Sequence, residues 1–354
     1  MQISFLFDLR RRLVAGVPAS KHQWRRLLTF PLRFLGRRYL IPGYHAFQQR
    51  NNRGIYAISI DAKIGFFAQM YWCLLIFIHC ERHELRPYII LSSPYYVRRK
   101  GDNWFEYFFD NLPLTEKDRD DIEKGVIKIS RIKQFSDLGL YRNVEPRLLH
   151  PDMDLESINR LVNKYMKVKL DIQNYVDSFT ARYFFGKKIL GVHYRGTDKI
   201  EAPRVSWEQC AGAIKDYLKA NSGIDALFIA SDEKQFIEFI QREFKDLEVI
   251  SHDDTELSSS GEAIHTSASG DKYMKGKEAL INCLILSRCD ALIKTASFLS
   301  AWACVFNPHL PVIMLNQAYA EHQRFLEREI IKKSVEIMAI SLWLYVGVGS
   351  TIKL

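Results

Sequence analysis

The sequence predicts an α/β protein with two Rossmann-like domains that face each other across a cleft. In the C-terminal half, short apolar runs end in polar residues and are followed by helical patterns, which is typical of a parallel sheet. In the N-terminal half, a strand pattern at residues 55–60, a long apolar helix and a second strand pattern at 88–91 predict a βαβ unit. The 354 residues, 47% of them hydrophobic, are enough for two such cores.

The same patterns predict four parts of the chain. Residues 1–50 are expected to form a basic amphipathic arm and residues 51–185 an N-terminal Rossmann-like domain. Residues 186–318 are expected to form a C-terminal Rossmann-like domain and residues 319–354 a helical and apolar tail. The boundary is placed near 184–188, between a helical region (155–183) and the next strand. The apolar segment 70–79 is about half as long as a bilayer requires, so it predicts a buried helix.

The most informative segment is residues 188–199, where an apolar strand pattern ends in a cluster of polar residues. His193, Arg195, Asp198 and Lys199 follow in short order, with Gly196 between them. Ligands of open α/β sheets bind beyond the carboxyl ends of the strands, and a guanidinium with a nearby ammonium suits a diphosphate. Arg195 is therefore the first candidate for a phosphate-binding residue.

Two later segments repeat this design. Residues 226–232 form an apolar strand pattern that ends in Asp232, followed by a helical pattern over 233–244. A helix over 278–288, which contains Asn282, precedes a strand at 290–294, and Thr295 and Ser297 come directly after it. Ser297 can cap the helix that begins near Phe298, and an exposed helix N-terminus is suited to bind an anion.

Together these segments resemble the α1,6-fucosyltransferases, which include the nodulation-factor and N-glycan core fucosyltransferases, with the protein O-fucosyltransferases more distant. The resemblance rests on residues 193–199, 229–233, 286–290 and 295–297, with a looser similarity around Gly65. It implies the GT-B arrangement of two Rossmann-like domains. It also implies transfer of fucose from GDP-fucose to a glycan or lipid-linked sugar with inversion, without a metal ion or another cofactor.

The resemblance assigns roles residue by residue. Arg195 falls on the family arginine that contacts the β-phosphate of GDP-fucose and stabilises the leaving group. Asp198 and Lys199 fall on a pair that shapes the loop, and His193 on a histidine at the strand end. Asp232 corresponds to a carboxylate region near the guanosine. The remaining nucleotide-binding candidates are Gly196, Asn282, Thr295 and Ser297.

The sequence also departs from the family. Two adjacent arginines are usual where this chain has Arg195-Gly196, and a helix aspartate near the base is replaced by Asn282. Asparagine accepts a hydrogen bond from a guanine edge but does not bind as an anion. Core-type enzymes place a glutamate where this chain has Pro203, so Glu201 and Asp198 are the candidates for the carboxylate that takes the acceptor proton. Two alternatives stay open: a catalytically silent nucleotide-sugar or glycan-binding protein, and a transferase that uses another GDP-sugar.

Metal ligands and disulfides are not expected. Asp152 and Asp154 form an Asp-x-Asp pair, but their context favours the start of a helix, and the histidines and cysteines lack metal-ligand spacing. The six cysteines mostly lie in apolar helical stretches, and no secretory signal precedes them, so reduced thiols and a cytosolic location are expected.

Charge is concentrated at the start of the chain. The net charge of +9 is accounted for by residues 1–50, which contain nine arginines and one lysine against Asp8 alone. The aromatic and leucine residues among them indicate either an interfacial segment on anionic lipid or a solvated leader. Nucleic acid is not expected as a partner, because no nucleic-acid-binding motif accompanies the arm. The uncharged stretch 337–352 is too short to span a bilayer.

The acceptor pocket is expected to be formed by the loops at 95–107 and 251–273. Gln69 and Trp72 are also expected to face the acceptor.

Overall fold

The computed structural model describes residues 54–133, 153–196, 201–252, 271–319, 324–332 and 334. The strands are β1 (Ile55–Ile60), β2 (Arg86–Leu91), β3 (Phe109–Asp110), β4 (Ser130–Ile132), β5 (Lys167–Val168), β6 (Ile189–Tyr194), β7 (Ala226–Ser231), β8 (Glu248–Ser251), β9 (Ala291–Lys294) and β10 (Val312–Met314). The helices are α1 (Phe66–Arg82), α2 (Phe105–Phe108), α3 (Glu116–Glu123), α4 (Leu155–Tyr165), α5 (Leu170–Tyr183), α6 (Trp207–Ala220), α7 (Lys234–Glu243), α8 (Lys272–Leu286) and α9 (Phe298–Phe306). Residues 325–332 are also helical.

The C-terminal half contains a five-stranded parallel sheet in the order β10-β9-β6-β7-β8. Its central strands are buried along their whole length, because helices cover both faces, and they are therefore almost continuously apolar. The carboxyl ends of β6, β7 and β9 lie side by side at one edge, where His193 pairs with Ala230 on one side and with Lys294 on the other. The three polar segments singled out in the sequence therefore meet at this edge.

The N-terminal half contains a three-stranded sheet in the order β2-β1-β4, also parallel. Helix α1 connects β1 to β2, which confirms the predicted βαβ unit. Every residue of this helix from Gln69 to Cys80 is buried, so the prediction of a buried helix is correct. None of the helices in the described ranges has the length and apolar character to cross a bilayer.

The apolar core on one face of the large sheet continues into the N-terminal half. Residues of α1 pack against α9, where the rings of Phe67 and Trp302 lie 6.2 Å apart, and Tyr71 lies 5.3 Å from Phe298. The other face of the sheet is covered by α6 and α7. Helix α5 ends and β6 begins on either side of the expected boundary, and the assignment of separate domains stays a prediction.

The helical region expected at 155–183 is present as two helices, α4 and α5, which are separated where Lys167–Val168 pairs antiparallel with β3. Two local expectations were wrong. Helix α8 begins six residues before the expected start, because the Asp271 side chain accepts a hydrogen bond from Tyr273 N (2.9 Å) and caps it there. Gln69 is fully buried and donates to Ile64 O at 3.0 Å, and Trp72 is also buried, so neither faces an open pocket.

Candidate functional site

A cavity of about 460 Å³ lies at the carboxyl ends of β6, β7 and β9, between them and the turn from β1 to α1. This is where a parallel α/β sheet binds its ligands. The described residues that the sequence singled out and that line this cavity are His193, Arg195, Glu201, Asp232, Asn282 and Ser297. The sequence therefore located the cavity from residues at or just after the ends of β6, β7 and β9 and from one residue of α8.

Arg195 is held on two sides. Its backbone N donates to Thr295 Oγ1 at 2.9 Å, and its Nε lies 3.2 Å from Asp232 Oδ2. The side chains of Arg195 and Asp232 are only 26% and 11% exposed. Thr295 thus fixes the backbone of Arg195 and Asp232 fixes its guanidinium, and the cationic group faces the cavity in a defined position.

Asp232 also accepts a hydrogen bond from Gly196 N at 3.3 Å through its other oxygen. The carboxylate that directly follows β7 therefore binds both the guanidinium of Arg195 and the backbone of the next residue. The expected contact of Asp232 with the guanosine remains a prediction. The two contacts of its carboxylate show that Asp232 positions Arg195.

Gly196 fills a position that has no room for a side chain. A Cβ atom there would lie 2.2 Å from Glu233 Oε1 and 2.6 Å from Tyr194 Cε1. Both neighbours are held in place, because Glu233 accepts from Trp207 Nε1 (3.0 Å) and Tyr194 OH donates to Val205 O (2.7 Å). Burial and then the negative charge of Glu233 raise the pKa of Tyr194 to about 12. The position next to Arg195 therefore has no room for the second arginine that is usual in the family.

Helix α8 contributes a polar stripe to the cavity. Lys275, Glu278 and Asn282 all line it, and each is only 6% exposed. Their spacing of three and then four residues places them on one face of the helix. Asn282 was predicted from the sequence, whereas Lys275 and Glu278 were missed, although helical periodicity extended backwards from Asn282 would have found them.

His193 lies at the end of β6, where it lines the cavity and is 4% exposed. Its register partner on β9 is Lys294, which is fully buried and was not singled out in the sequence. Lys294 could have been identified from the sequence as a lysine at the end of an otherwise apolar strand pattern.

The N-termini of two helices open into the cavity. Ser297, Phe298 and Leu299 at the start of α9 line it, and so do the residues at the start of α1, from Gly65 to Ala68. Neither first turn contains an acidic residue. The expectation that Ser297 caps α9 was wrong: it occupies the cap position, but in the described part of the chain its side chain makes no capping hydrogen bond. Its hydroxyl is therefore not engaged with the helix backbone.

Glu201 lines the cavity from the segment after β6, and its backbone oxygen accepts from Tyr319 N at 2.8 Å. Asp198 and Lys199 lie outside the described residues. Arg324 and Glu327, next to and within the helical segment 325–332, complete the charged lining. Neither residue was predicted from the sequence, because the helical pattern of this segment does not indicate which part of the fold it packs against.

Within the described ranges, no group of three or more histidine, cysteine, aspartate or glutamate residues is arranged to hold a metal ion. Asp154 accepts from Ser157 N at 2.7 Å and caps α4, as its sequence context predicted, and this bond lowers the pKa of the Asp154 carboxyl. Asp152 lies outside the described residues. All six cysteines are buried free thiols, and burial raises the pKa of Cys210 to about 12, so this thiol is not a reactive one.

A family model described as the α-(1,6)-fucosyltransferase N- and catalytic domains matches residues 129–304. Among solved structures, NodZ α1,6-fucosyltransferase co-crystallised with GDP is 18% identical with a TM-score of 0.50, over 73% of this chain and 94% of that chain. NodZ from Bradyrhizobium is 17% identical, over 73% and 95% of the two chains, with a TM-score of 0.47. A variant of Arabidopsis thaliana FUT1 in complex with GDP is 11% identical, over 77% and 74%, with a TM-score of 0.45.

At 18% identity, the likeness to NodZ with GDP supports the fold alone, an α/β protein with parallel sheets of the GT-B type. No curated protein sequence gave a significant match. The family match has more weight, because its 129–304 range contains the segments that carry Arg195, Asp232, Asn282 and Ser297. Over residues 129–304, the chain belongs to the α1,6-fucosyltransferase family of glycosyltransferases.

Proposed function

We propose that this protein transfers fucose from GDP-fucose to a hydroxyl group of a glycan or lipid-linked sugar, with inversion at the anomeric carbon and without a metal ion. The observation that carries this proposal is Arg195, which is held by Thr295 and Asp232 at a cavity that also receives the N-terminus of α9. This combination suits an anionic leaving group, because a fixed guanidinium and helix N–H groups both attract negative charge.

In this proposal the diphosphate of the donor binds next to Arg195 and Ser297, with the amide groups at the start of α9 around it. Asn282 on α8 accepts from the guanine edge, and His193 lies beneath the nucleotide at the strand end. Thr295 contributes by fixing the backbone of Arg195, since it does not line the cavity itself.

The reaction needs no nucleophilic side chain. The oxygen of the acceptor hydroxyl attacks the anomeric carbon of fucose, and the bond from that carbon to the β-phosphate oxygen breaks, so that GDP leaves with the electron pair. Arg195 and the α9 amides stabilise the growing charge on the diphosphate, an effect worth several kcal/mol in preorganised sites. A carboxylate, Glu201 or Asp198, takes the proton that the acceptor loses. The same positive groups supply what a divalent cation supplies in other glycosyltransferases.

The two loops predicted to shape the acceptor pocket touch each other. The Arg98 guanidinium lies 3.9 Å above the Tyr273 ring, and its Nη2 is 3.3 Å from Asp271 Oδ2. Tyr96, from the same N-terminal loop, lines the cavity. This contact between the halves supports an acceptor site beside the donor, near these loops.

The basic arm and the uncharged stretch 337–352 lie outside the described residues. We keep the proposal that the enzyme works in the cytosol and docks peripherally on anionic membrane through residues 1–50, where a lipid-linked acceptor would be present.

The test is to incubate the purified chain with GDP-fucose and EDTA, with and without a panel of glycan acceptors, and to measure GDP release and fucosylated product. We expect GDP release that Arg195→Ala abolishes. Binding of GDP without turnover would favour the catalytically silent alternative, which is motivated by Gly196 and Asn282 at positions where the family usually has charged residues. Turnover of GDP-mannose but not of GDP-fucose would favour another GDP-sugar.

A further inference from the structure

Among the described residues, the cationic and acidic side chains that line the cavity are equal in number. The cations are Lys63, Arg195, Lys275 and Arg324, and the anions are Glu201, Asp232, Glu278 and Glu327. A donor with a negative charge on each of two phosphates adds anionic charge to this neutral site. Binding therefore depends on which cation is not already compensated by a carboxylate.

Three of the four cations have a carboxylate close by. Arg195 forms its ion pair with Asp232. Lys275 and Glu278 line the cavity one helical turn apart, and both take part in further interactions. Arg324 and Glu327 are also three residues apart, line the cavity together and take part in further interactions. Residues at this spacing on a helix are neighbours, so the charge of each cation is partly offset.

Lys63 is different. It lies in the turn between the carboxyl end of β1 and α1, it is exposed, and it lines the cavity. Within the described ranges, its ammonium group takes part in no hydrogen bond or ion pair. Asp61, the acid nearest in sequence, does not line the cavity. The first turn of α1, which follows Lys63, contains no acidic residue.

A second arginine cannot supply this charge from the strand β6 side, because the space at Gly196 is filled by Glu233 and Tyr194. Lys294 is fully buried and does not line the cavity. Within the described residues, Lys63, in the turn that follows β1, is therefore the only lining cation without a carboxylate at helical or ion-pair spacing.

We infer that Lys63 is a donor-binding residue, whose ammonium group contacts the diphosphate of the sugar nucleotide from the N-terminal half while Arg195 contacts it from the C-terminal half. This inference rests on the proposed function. Lys63 replaces, in charge, the second arginine that Gly196 excludes. A ligand held from both halves also gives the donor a defined position between the two sheets.

The test is calorimetric titration of the full-length chain and its Lys63→Ala and Lys63→Arg variants with GDP, UDP, guanosine and inorganic pyrophosphate. Lys167→Ala is the matched control, because Lys167 is an exposed lysine on β5 that does not line the cavity. Melting temperatures of all variants check that they are folded. Arg195→Ala is titrated in parallel.

We expect Lys63→Ala to weaken GDP binding about tenfold, as for the loss of a charge-assisted hydrogen bond, and Lys63→Arg to retain most of it. Guanosine, which has no phosphate, should bind all Lys63 variants equally. Equal GDP affinity of Lys63→Ala and Lys167→Ala, with loss in Arg195→Ala, would overturn the inference and leave the proposed function standing.

A failure of the proposed function can also be distinguished from a failure of the inference about Lys63. If the wild-type chain bound UDP or pyrophosphate but not GDP, the proposed donor would be wrong, while a loss of that binding in Lys63→Ala would still support the lysine as a diphosphate ligand. If the wild-type chain bound none of these phosphates, both would be overturned.

Discussion

Arg195 and Asp232, which directly follow two neighbouring strands of the C-terminal sheet, are joined by a 3.2 Å contact between Nε and Oδ2. The second oxygen of the same carboxylate accepts from the backbone of Gly196 at 3.3 Å. Asp232 therefore fixes both the direction of the arginine and the path of the chain beside it. It also places a negative charge next to the guanidinium that is proposed to bind the diphosphate. Asp232 therefore orients Arg195 but weakens the electrostatic attraction between this site and the diphosphate.

This arrangement predicts separate effects on binding and turnover. Asp232→Asn keeps an acceptor for Gly196 N but removes the charge that holds Arg195. We expect GDP affinity to stay the same or to rise, and kcat to fall about tenfold, because the arginine loses its preorganised position. Steady-state kinetics with GDP-fucose and calorimetry with GDP measure the two quantities. A loss of GDP affinity as large as in Arg195→Ala would show instead that Asp232 contacts the nucleotide directly.

Packing at Gly196 gives a prediction on stability. Gly196→Ala places a methyl group against Glu233 and Tyr194, and we expect it to destabilise the fold by about 1–3 kcal/mol, as for other overpacked sites. The matched control is Gly212→Ala in α6, where an added Cβ meets nothing within 4 Å and helix propensity predicts a gain of about 0.5–1 kcal/mol. Urea denaturation of both variants measures these changes. Equal stability of the two variants would contradict the packing account.

Glu201 gives a prediction on the chemical step. Glu201→Gln preserves the size of the side chain but cannot take the acceptor proton, so transfer should fall by about 100-fold or more while GDP affinity stays unchanged. Product formation with a saturating acceptor, together with calorimetry, separates these effects. Normal transfer in this variant would assign the proton to another carboxylate, with Asp198, Glu278 and Glu327 as the next variants to measure.

The buried thiols predict a loss of stability at alkaline pH. Burial raises the pKa of Cys210 from 9.0 to about 12, so the folded chain holds this proton more tightly than the unfolded chain does. The contribution to stability is complete below the unfolded pKa and is lost as pH rises through the window from 9.0 to about 12. Each such group lowers the free energy of unfolding by at most about 1.4 kcal/mol per pH unit in that window.

Urea midpoints measured below and within this window check the sign. The wild-type chain should lose stability as pH rises, and Cys210→Ala should lose it less steeply, whatever its stability at neutral pH. Parallel pH profiles for the two proteins would contradict the assignment to this thiol.

Sequence patterns located the site because a parallel sheet brings the carboxyl ends of its strands to one edge. The polar residues after β6, β7 and β9 could therefore be grouped before any contact was known. The buried helix α1 was predictable for a similar reason, since a segment that is apolar on every side and too short for a bilayer must be covered by protein.

The contacts between side chains could not be predicted in the same way. The pairing of Arg195 with Asp232 depends on side-chain orientation across two strands, which the residue order does not specify. The packing of Glu233 over Gly196 depends on Trp207, which is distant in sequence and supplies a hydrogen bond to the carboxylate. The position of Lys63 at the same cavity depends on how the two sheets pack, and this follows from the apolar contacts of α1 with α9.

The central claim is that Arg195 anchors a guanosine diphosphate site that needs no metal ion. Calorimetric titration of the wild-type chain and Arg195→Ala with GDP and UDP, in the presence of EDTA, tests it most directly. We expect the wild-type chain to bind GDP more tightly than UDP, and Arg195→Ala to weaken GDP binding at least about tenfold. No GDP binding by the wild-type chain in EDTA, or equal GDP binding by both proteins, would contradict it.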